Sequence, residues 1–298
     1  MALVGMLLNL TEKDGESKPR MDRFKKGAGV TDRDIEALYG DGDYNSFNLK
    51  AQELVKLNPK VLFGTCGPST WALDYARQDA GVVDKIPLVF AAIFDPASTA
   101  REVPRNATGY YSCDFSHCGK WVELLKAAAP QMTRAAVIMD PGRPAGMAQL
   151  GALQAAAAQL AVKLKAIDVR NAGQLEQAIK DFAGQGAGGG LIVPGSGLTT
   201  TRRNQIIALV AKDKYAMPAI YSNSVYVRDG GLMSYGPNTP DLYESGGVYV
   251  KRLLNNESIS KLPVVPNNKF ELHMKVATAG AFGIPVPDKL LGIDVIKV

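Results

Sequence analysis

The stretch Gly64-Thr65-Cys66-Gly67-Pro68-Ser69-Thr70 sets a thiol and three hydroxyls between an apolar run, Val61-Leu62-Phe63, and a segment of helical pattern. Such a turn supports two chemistries. A cysteine at a helix N-terminus has a lowered pKa and can act as a nucleophile or take a proton. The same turn can hold an anion that is bound and never changed. Pro68 suits the first helical position, and Ser69 and Thr70 then lie beside unsatisfied backbone N–H groups. Capping of the helix by these hydroxyls is a third, purely structural use. A nucleophile needs a base, and the only histidines, His117 and His273, fall outside the strand-end loops. A two-cysteine racemase would need a second thiol facing the first, whereas Cys113 and Cys118 lie elsewhere along the chain. Binding without chemistry is therefore favoured. A Cys66-dependent racemase or decarboxylase is the enzymatic alternative.

Other polar and aromatic residues share the position of that turn, just past a predicted strand. They are Asn9 in NLTE, Phe94 and Asp95 in AIFDPAST, and Asp140 and Arg143 in DPGRPAG. Further along come Ser196 and Thr199 in PGSGLTTT, Tyr221 and Ser222 in YSNSVY, and Tyr235 in GGLMSYGP. Asp95 and Asp140 could meet a ligand amine or cap their own Asp-Pro turns. Arg143 could grip a carboxylate with two parallel bonds. Phe94, Tyr221, Tyr226 and Tyr235 could stack on an aromatic ligand or belong to the core. Glycines, hydroxyls and a few charges among aromatics make the mixture of a small-molecule pocket. No Cys/His spacing suits zinc, and GQGAGGG at 184–190 lacks the lysine of a phosphate loop, so neither metal nor cofactor is expected.

These loops need elements to hold them. Short, almost wholly apolar runs at 2–8, 34–39, 60–65 and 87–93 alternate with helical patterns at 16–26, 44–57 and 68–80. The order repeats with strands at 134–139, 163–168, 190–194 and 216–221 and helices at 145–160, 172–182 and 199–212. Strands apolar on both faces, alternating with helices, predict an α/β fold of two Rossmann-like lobes with parallel sheets. Segments near 110–114, 231–235 and 262–272 stand outside the repeat and read as three hinge strands. One lobe is expected to comprise 1–113 with about 236–261, the other about 114–235 with 262–298. In open parallel sheets ligands bind beyond the carboxyl ends of the strands, where the loops above lie.

The chain has 298 residues, 46% of them hydrophobic and 21% charged, with a formal charge of +5. Its basic residues are scattered and matched by acids, which argues against nucleic acid. No apolar run is long enough for a membrane helix. The opening MALVGMLLNL reads as a buried strand, so the protein is either cytoplasmic or has had a leader removed. Three cysteines do not make a disulfide framework.

GMLLNLTE, PKVLFGTCGPSTWAL, IPLVFAAIFDP, GGLIVPGSG, GGLMSYGPN and KFELHMKVATAGAFGIPVPDKLL together resemble the ABC-transporter substrate-binding protein family that includes tryptophan-binding TrpX-like proteins. The resemblance spans essentially the whole chain. It implies a type I periplasmic binding protein fold, a small-molecule ligand trapped between two lobes, and a periplasmic or extracytoplasmic location. It also implies an ABC permease as partner, and aromatic amino acids are ligands in part of the family; a monomer that is not an enzyme is expected. The matching loop positions are Asn9, Thr65, Ser69, Phe94, Asp95, Asp140, Ser196, Tyr221, Ser222 and Tyr235. Cys66, Arg143, His117 and Cys118 depart from the family's pattern. A ligand-sensing regulator domain shares the fold, but no helix-turn-helix precedes the first strand here.

Overall fold

A computed structural model describes residues 3–94, 102–113, 115, 117–139, 144–168 and 172–298. The chain forms two compact units, Met1–Asp114 with Thr239–Asn268, and Phe115–Asn238 with Lys269–Val298. It therefore passes from one to the other three times.

The first unit is built on β1 (Val4–Leu8), β2 (Ile35–Tyr39), β3 (Val61–Gly64), β4 (Leu88–Phe94), β5 (Ala107–Cys113) and β11 (Val265–Pro266), in the order β11-β5-β4-β3-β1-β2. Every pairing is parallel. The apolar runs need no alternation with polar residues because both faces are covered. Met6, Leu8, Phe63, Val89 and Ala91 pack under α1 (Ser17–Ala28) and α10 (Thr239–Leu254). Leu7, Leu62 and Leu88, one residue out of phase, pack under α2 (Tyr44–Lys56) and α3 (Gly67–Asp79). Helices α1 and α10 touch backbone to backbone. A Cβ on Gly27 would lie 2.1 Å from the Glu244 carbonyl oxygen, and one on Gly247 would lie 2.5 Å from that of Phe24. The buried Arg77 guanidinium ties α3 to the strands. Its Nη atoms donate to Asp74 Oδ1 at 2.6 Å and to the carbonyls of Ile86, Asn106 and Arg105 at 3.0–3.1 Å.

The second unit holds β6 (Arg134–Met139), β7 (Lys163–Asp168), β8 (Gly189–Val193), β9 (Ala219–Tyr221), β10 (Met233–Pro237), β12 (Phe270–Met274), β13 (Lys289–Leu290) and β14 (Ile293–Lys297). Their order is β13-β14-β12-β10-β9-β8-β6-β7, parallel except for β10 with β12 and β13 with β14.

The structure differs from the sequence reading in four places. The single hinge strand expected at 262–272 is two strands. β11 joins the first sheet and β12 the second, with Asn267, Asn268 and Lys269 between them. Residues 236–238 accordingly fall in the second unit and 262–268 in the first. The helix expected at 199–212 is two, α7 (Gly197–Thr201) and α8 (Arg203–Val210), broken where Arg202 leaves helical geometry at φ −100° and ψ 12°. Helix α4 (Cys118–Ala128) and strand β14 had no counterpart among the expected elements.

Candidate functional site

Because the first sheet is parallel, the loops after β1 and β3 emerge along one edge. The register pairs Leu7 with Gly64, so its continuation brings Asn9 level with Cys66. Cys66 is the N-cap of α3, in extended geometry, and its thiol accepts the Ser69 N–H at 3.5 Å. Ser69 answers with its hydroxyl, which accepts from the N–H groups of Thr65 at 2.9 Å and Cys66 at 3.1 Å. Ser69 is buried, and its hydroxyl, which also donates to the Cys66 carbonyl at 3.1 Å, shapes the loop. Of the uses open to this turn, capping is the one these hydrogen bonds display. Thr65 is buried and donates to the Leu7 carbonyl at 3.0 Å, tying the β3 loop to β1. Thr70 is buried, and its Oγ1 has no hydrogen-bond partner. Asn9 is half-buried, and its Oδ1 is buried and likewise without a partner.

Two residues that the sequence reading missed stand at the same edge. Arg20, in the second turn of α1, is 4% exposed, yet its Nε has no hydrogen-bond partner; the nearest anion is Glu16 Oε2 at 3.6 Å. Its guanidinium carbon lies 5.8 Å from the centre of the Tyr243 ring on α10. The Tyr243 hydroxyl is buried and makes no hydrogen bond of normal geometry. Burial pushes its pKa up, while Arg20 and Thr65 stand close enough to counter part of that rise. A helical wheel carried the signal. Arg20 lies four residues before Phe24 and seven before Gly27, on the buried face of α1 where a charge is out of place.

The second unit repeats the capped loop. Ser196 caps α7 by accepting the Thr199 N–H at 3.0 Å, and Thr199 Oγ1 accepts from Ser196 N at 3.1 Å and donates to the Pro194 carbonyl at 3.1 Å. Thr199, like Ser69, is buried. Ser222 packs against this loop, for a Cβ on Gly195 would lie 3.0 Å from its Oγ. Tyr221 is 1% exposed and stacks on Tyr226 at 4.6 Å, within the core among Val193, Leu209 and Val225. Burial pushes its phenol pKa up. Both rings pack in the core, one of the two uses open to them, and the Tyr221 hydroxyl is buried without a hydrogen-bond partner. Tyr235 is half-buried and stacks on Phe270 at 5.7 Å, and its carbonyl accepts the Trp121 indole N–H at 2.7 Å. Phe94, at the end of β4, is half-buried. Asp95, Asp140 and Arg143 lie outside the described residues. Among the described residues no group of His, Cys, Asp and Glu is placed to hold a metal ion, and no helix is long and apolar enough to cross a membrane.

Two α/β units on parallel sheets, joined by three chain crossings, define a type I periplasmic binding protein fold. Residues 24–294 match the family described as ABC transporter substrate binding protein, and the chain belongs to that family. No curated protein matches the chain. Among solved structures, it is similar to an ABC domain from Streptococcus pneumoniae in complex with L-Trp. The TM-score is 0.82 at 18% identity, over 98% of this chain and 100% of that one. A conserved domain protein from Vibrio cholerae has a TM-score of 0.79 at 22% identity, over 96% of each chain. A ligand-free, open substrate-binding protein with adhesive properties from Clostridium difficile has a TM-score of 0.67 at 21% identity, over 100% of this chain and 99% of that one.

Proposed function

We propose that the protein is the extracytoplasmic solute-binding component of an ABC importer. It takes up a small carboxylate-bearing molecule of the amino-acid class, aromatic ones included, and delivers it unchanged to a permease in the cytoplasmic membrane. It acts as a monomer and catalyses nothing. The observation that carries this reading is the edge of the first sheet, where Asn9 Oδ1, Thr70 Oγ1 and the Tyr243 hydroxyl are buried polar atoms without hydrogen-bond partners. Such atoms cost free energy unless something satisfies them, and a ligand that arrives and leaves is one way to do so. Membership of a transporter substrate-binding family and the fold shared with a protein solved with L-Trp support the same reading. The enzymatic alternative would need a base for the Cys66 thiol, and both histidines, His117 and His273, belong to the second unit while Cys66 belongs to the first.

A melting screen against amino acids, aromatic carboxylates, dicarboxylates and sugars tests the proposal. A ligand at 100 times its Kd stabilises the native state by about 2.7 kcal/mol, a shift of several degrees. The expected result is a hit that is recovered unchanged. Consumption of the hit would contradict it.

A further inference from the structure

The two buried arginines of the first unit differ in one respect. Arg77 has four acceptors within 3.1 Å of its Nη atoms. Arg20, almost as buried, has one loose ion pair at 3.6 Å and an aromatic ring beside it. A guanidinium carries five donors in a fixed fork, and removing it from water without hydrogen bonds is costly. Glu16, itself buried, balances its charge but stands beyond hydrogen-bond distance of Nε. Beside this fork lies the Tyr243 hydroxyl, also without a hydrogen bond of normal geometry, with Thr65 close by.

The placement follows from the packing. Helix α1 starts where β1 ends, so its first turns lie at the carboxyl edge of the sheet. The neighbours of α1 on α10 run in the same direction, from Arg20 beside Tyr243, through Gly27 beside Glu244 and Val248, to Gly29 beside Lys251. The two helices thus run parallel, and Tyr243 comes to the same edge. A structural arginine would be expected to look like Arg77. Both leave Nε without a partner, but Arg77 meets acceptors at both Nη atoms, whereas Arg20 has only the 3.6 Å ion pair, at the edge where open parallel sheets take ligands.

We propose that Arg20 and Tyr243 form the anion subsite of the first unit, with the guanidinium fork and the phenol hydroxyl receiving the ligand's carboxylate. This rests on the solute-receptor reading and narrows it. The bound molecule must bring a carboxylate, so a neutral sugar or a simple amine is excluded. Planar, bidentate recognition of carboxylate is what a guanidinium does best. Asn9 Oδ1, an acceptor without a partner at the same edge, suits a donor on the same ligand.

The test uses the wild-type chain and the variants Arg20→Gln and Tyr243→Phe, melted with L-tryptophan, indole-3-propionate, tryptamine and D-arabinose, with Kd by calorimetry for any compound that shifts the midpoint. The expected result is that at least one of the two carboxylates stabilises the wild type while tryptamine and D-arabinose do not. Arg20→Gln should weaken that carboxylate at least tenfold and Tyr243→Phe severalfold. Should Arg20→Gln fail to fold, the comparison of carboxylates with tryptamine in the wild type still decides. Equal stabilisation by tryptamine or D-arabinose would overturn the subsite and the carboxylate class with it, and leave the solute-receptor role standing. No stabilisation by either carboxylate would also overturn it. Native mass spectrometry of the freshly purified protein would then judge the receptor reading separately, by whether a different small molecule is bound.

Discussion

Cys66 and Ser196 occupy equivalent positions, each capping a helix in a box closed by a hydroxyl three residues on. The thiol accepts its N–H at 3.5 Å and the hydroxyl accepts its own at 3.0 Å, as expected of a weak sulfur acceptor. Cys66→Ser is therefore expected to raise stability by a few tenths to ~1 kcal/mol, read as a higher melting midpoint. It should also leave ligand affinity within about threefold by calorimetry, a difference of under ~0.7 kcal/mol. Loss of binding would return the thiol to the site. Ser69→Ala should act in the opposite direction, costing ~0.5–2 kcal/mol in the same melt through the lost cap. Arg77→Met leaves the Asp74 carboxylate buried with only Gln78 and three carbonyls short of a donor. We expect a loss of roughly 3–5 kcal/mol in a urea unfolding curve. The capped loops were legible because Pro, Ser and Thr at a strand-to-helix turn carry their geometry locally. Arg20 and Tyr243 were not, because their significance lies in a helix pairing that joins residues more than two hundred positions apart.

At the level of elements, the α1–α10 contact rests on glycine. Gly27→Ala would force a Cβ to within 2.1 Å of the Glu244 carbonyl oxygen, a clash with backbone that no rotamer relieves. A loss of ~1–3 kcal/mol or more is expected, seen as a lowered melting midpoint. An unchanged midpoint would mean that the two helices separate easily, and would weaken the case that they hold Arg20 against Tyr243. The strands of both repeats were legible from apolar runs flanked by glycine and proline. The end of the chain was less so. Strand β14 presents Ile293, Val295 and Lys297 half-buried or exposed, a pattern too polar to separate from loop by sequence alone. The break between β11 and β12 hid within one continuous extended run, because extended backbone does not reveal which sheet it joins.

Across the whole molecule, two units of like design are threaded by one chain that crosses between them three times. That arrangement was readable in outline, since a repeated β-α order followed by three unassigned extended segments leaves few other topologies. The ligand class was not. Sequence pointed to hydroxyls and aromatics in loops, whereas the hydroxyls of Ser69 and Thr199 are engaged in holding their own loops and the rings of Tyr221 and Tyr226 stack in the core. Residue type at a strand end states what a site could contain. Only burial and unmet hydrogen bonds separate what holds the loop from what awaits a ligand.

The central claim is that this chain binds one small molecule and does nothing to it. Calorimetric titration with the most stabilising compound of the melting screen, followed by mass spectrometry of the compound recovered from the cell, tests it directly. The account predicts one site per chain, an unchanged mass and, by chiral chromatography, an unchanged configuration, and the same result with Cys66→Ser. A change of mass or configuration that disappears in Cys66→Ser would contradict it and make the protein an enzyme.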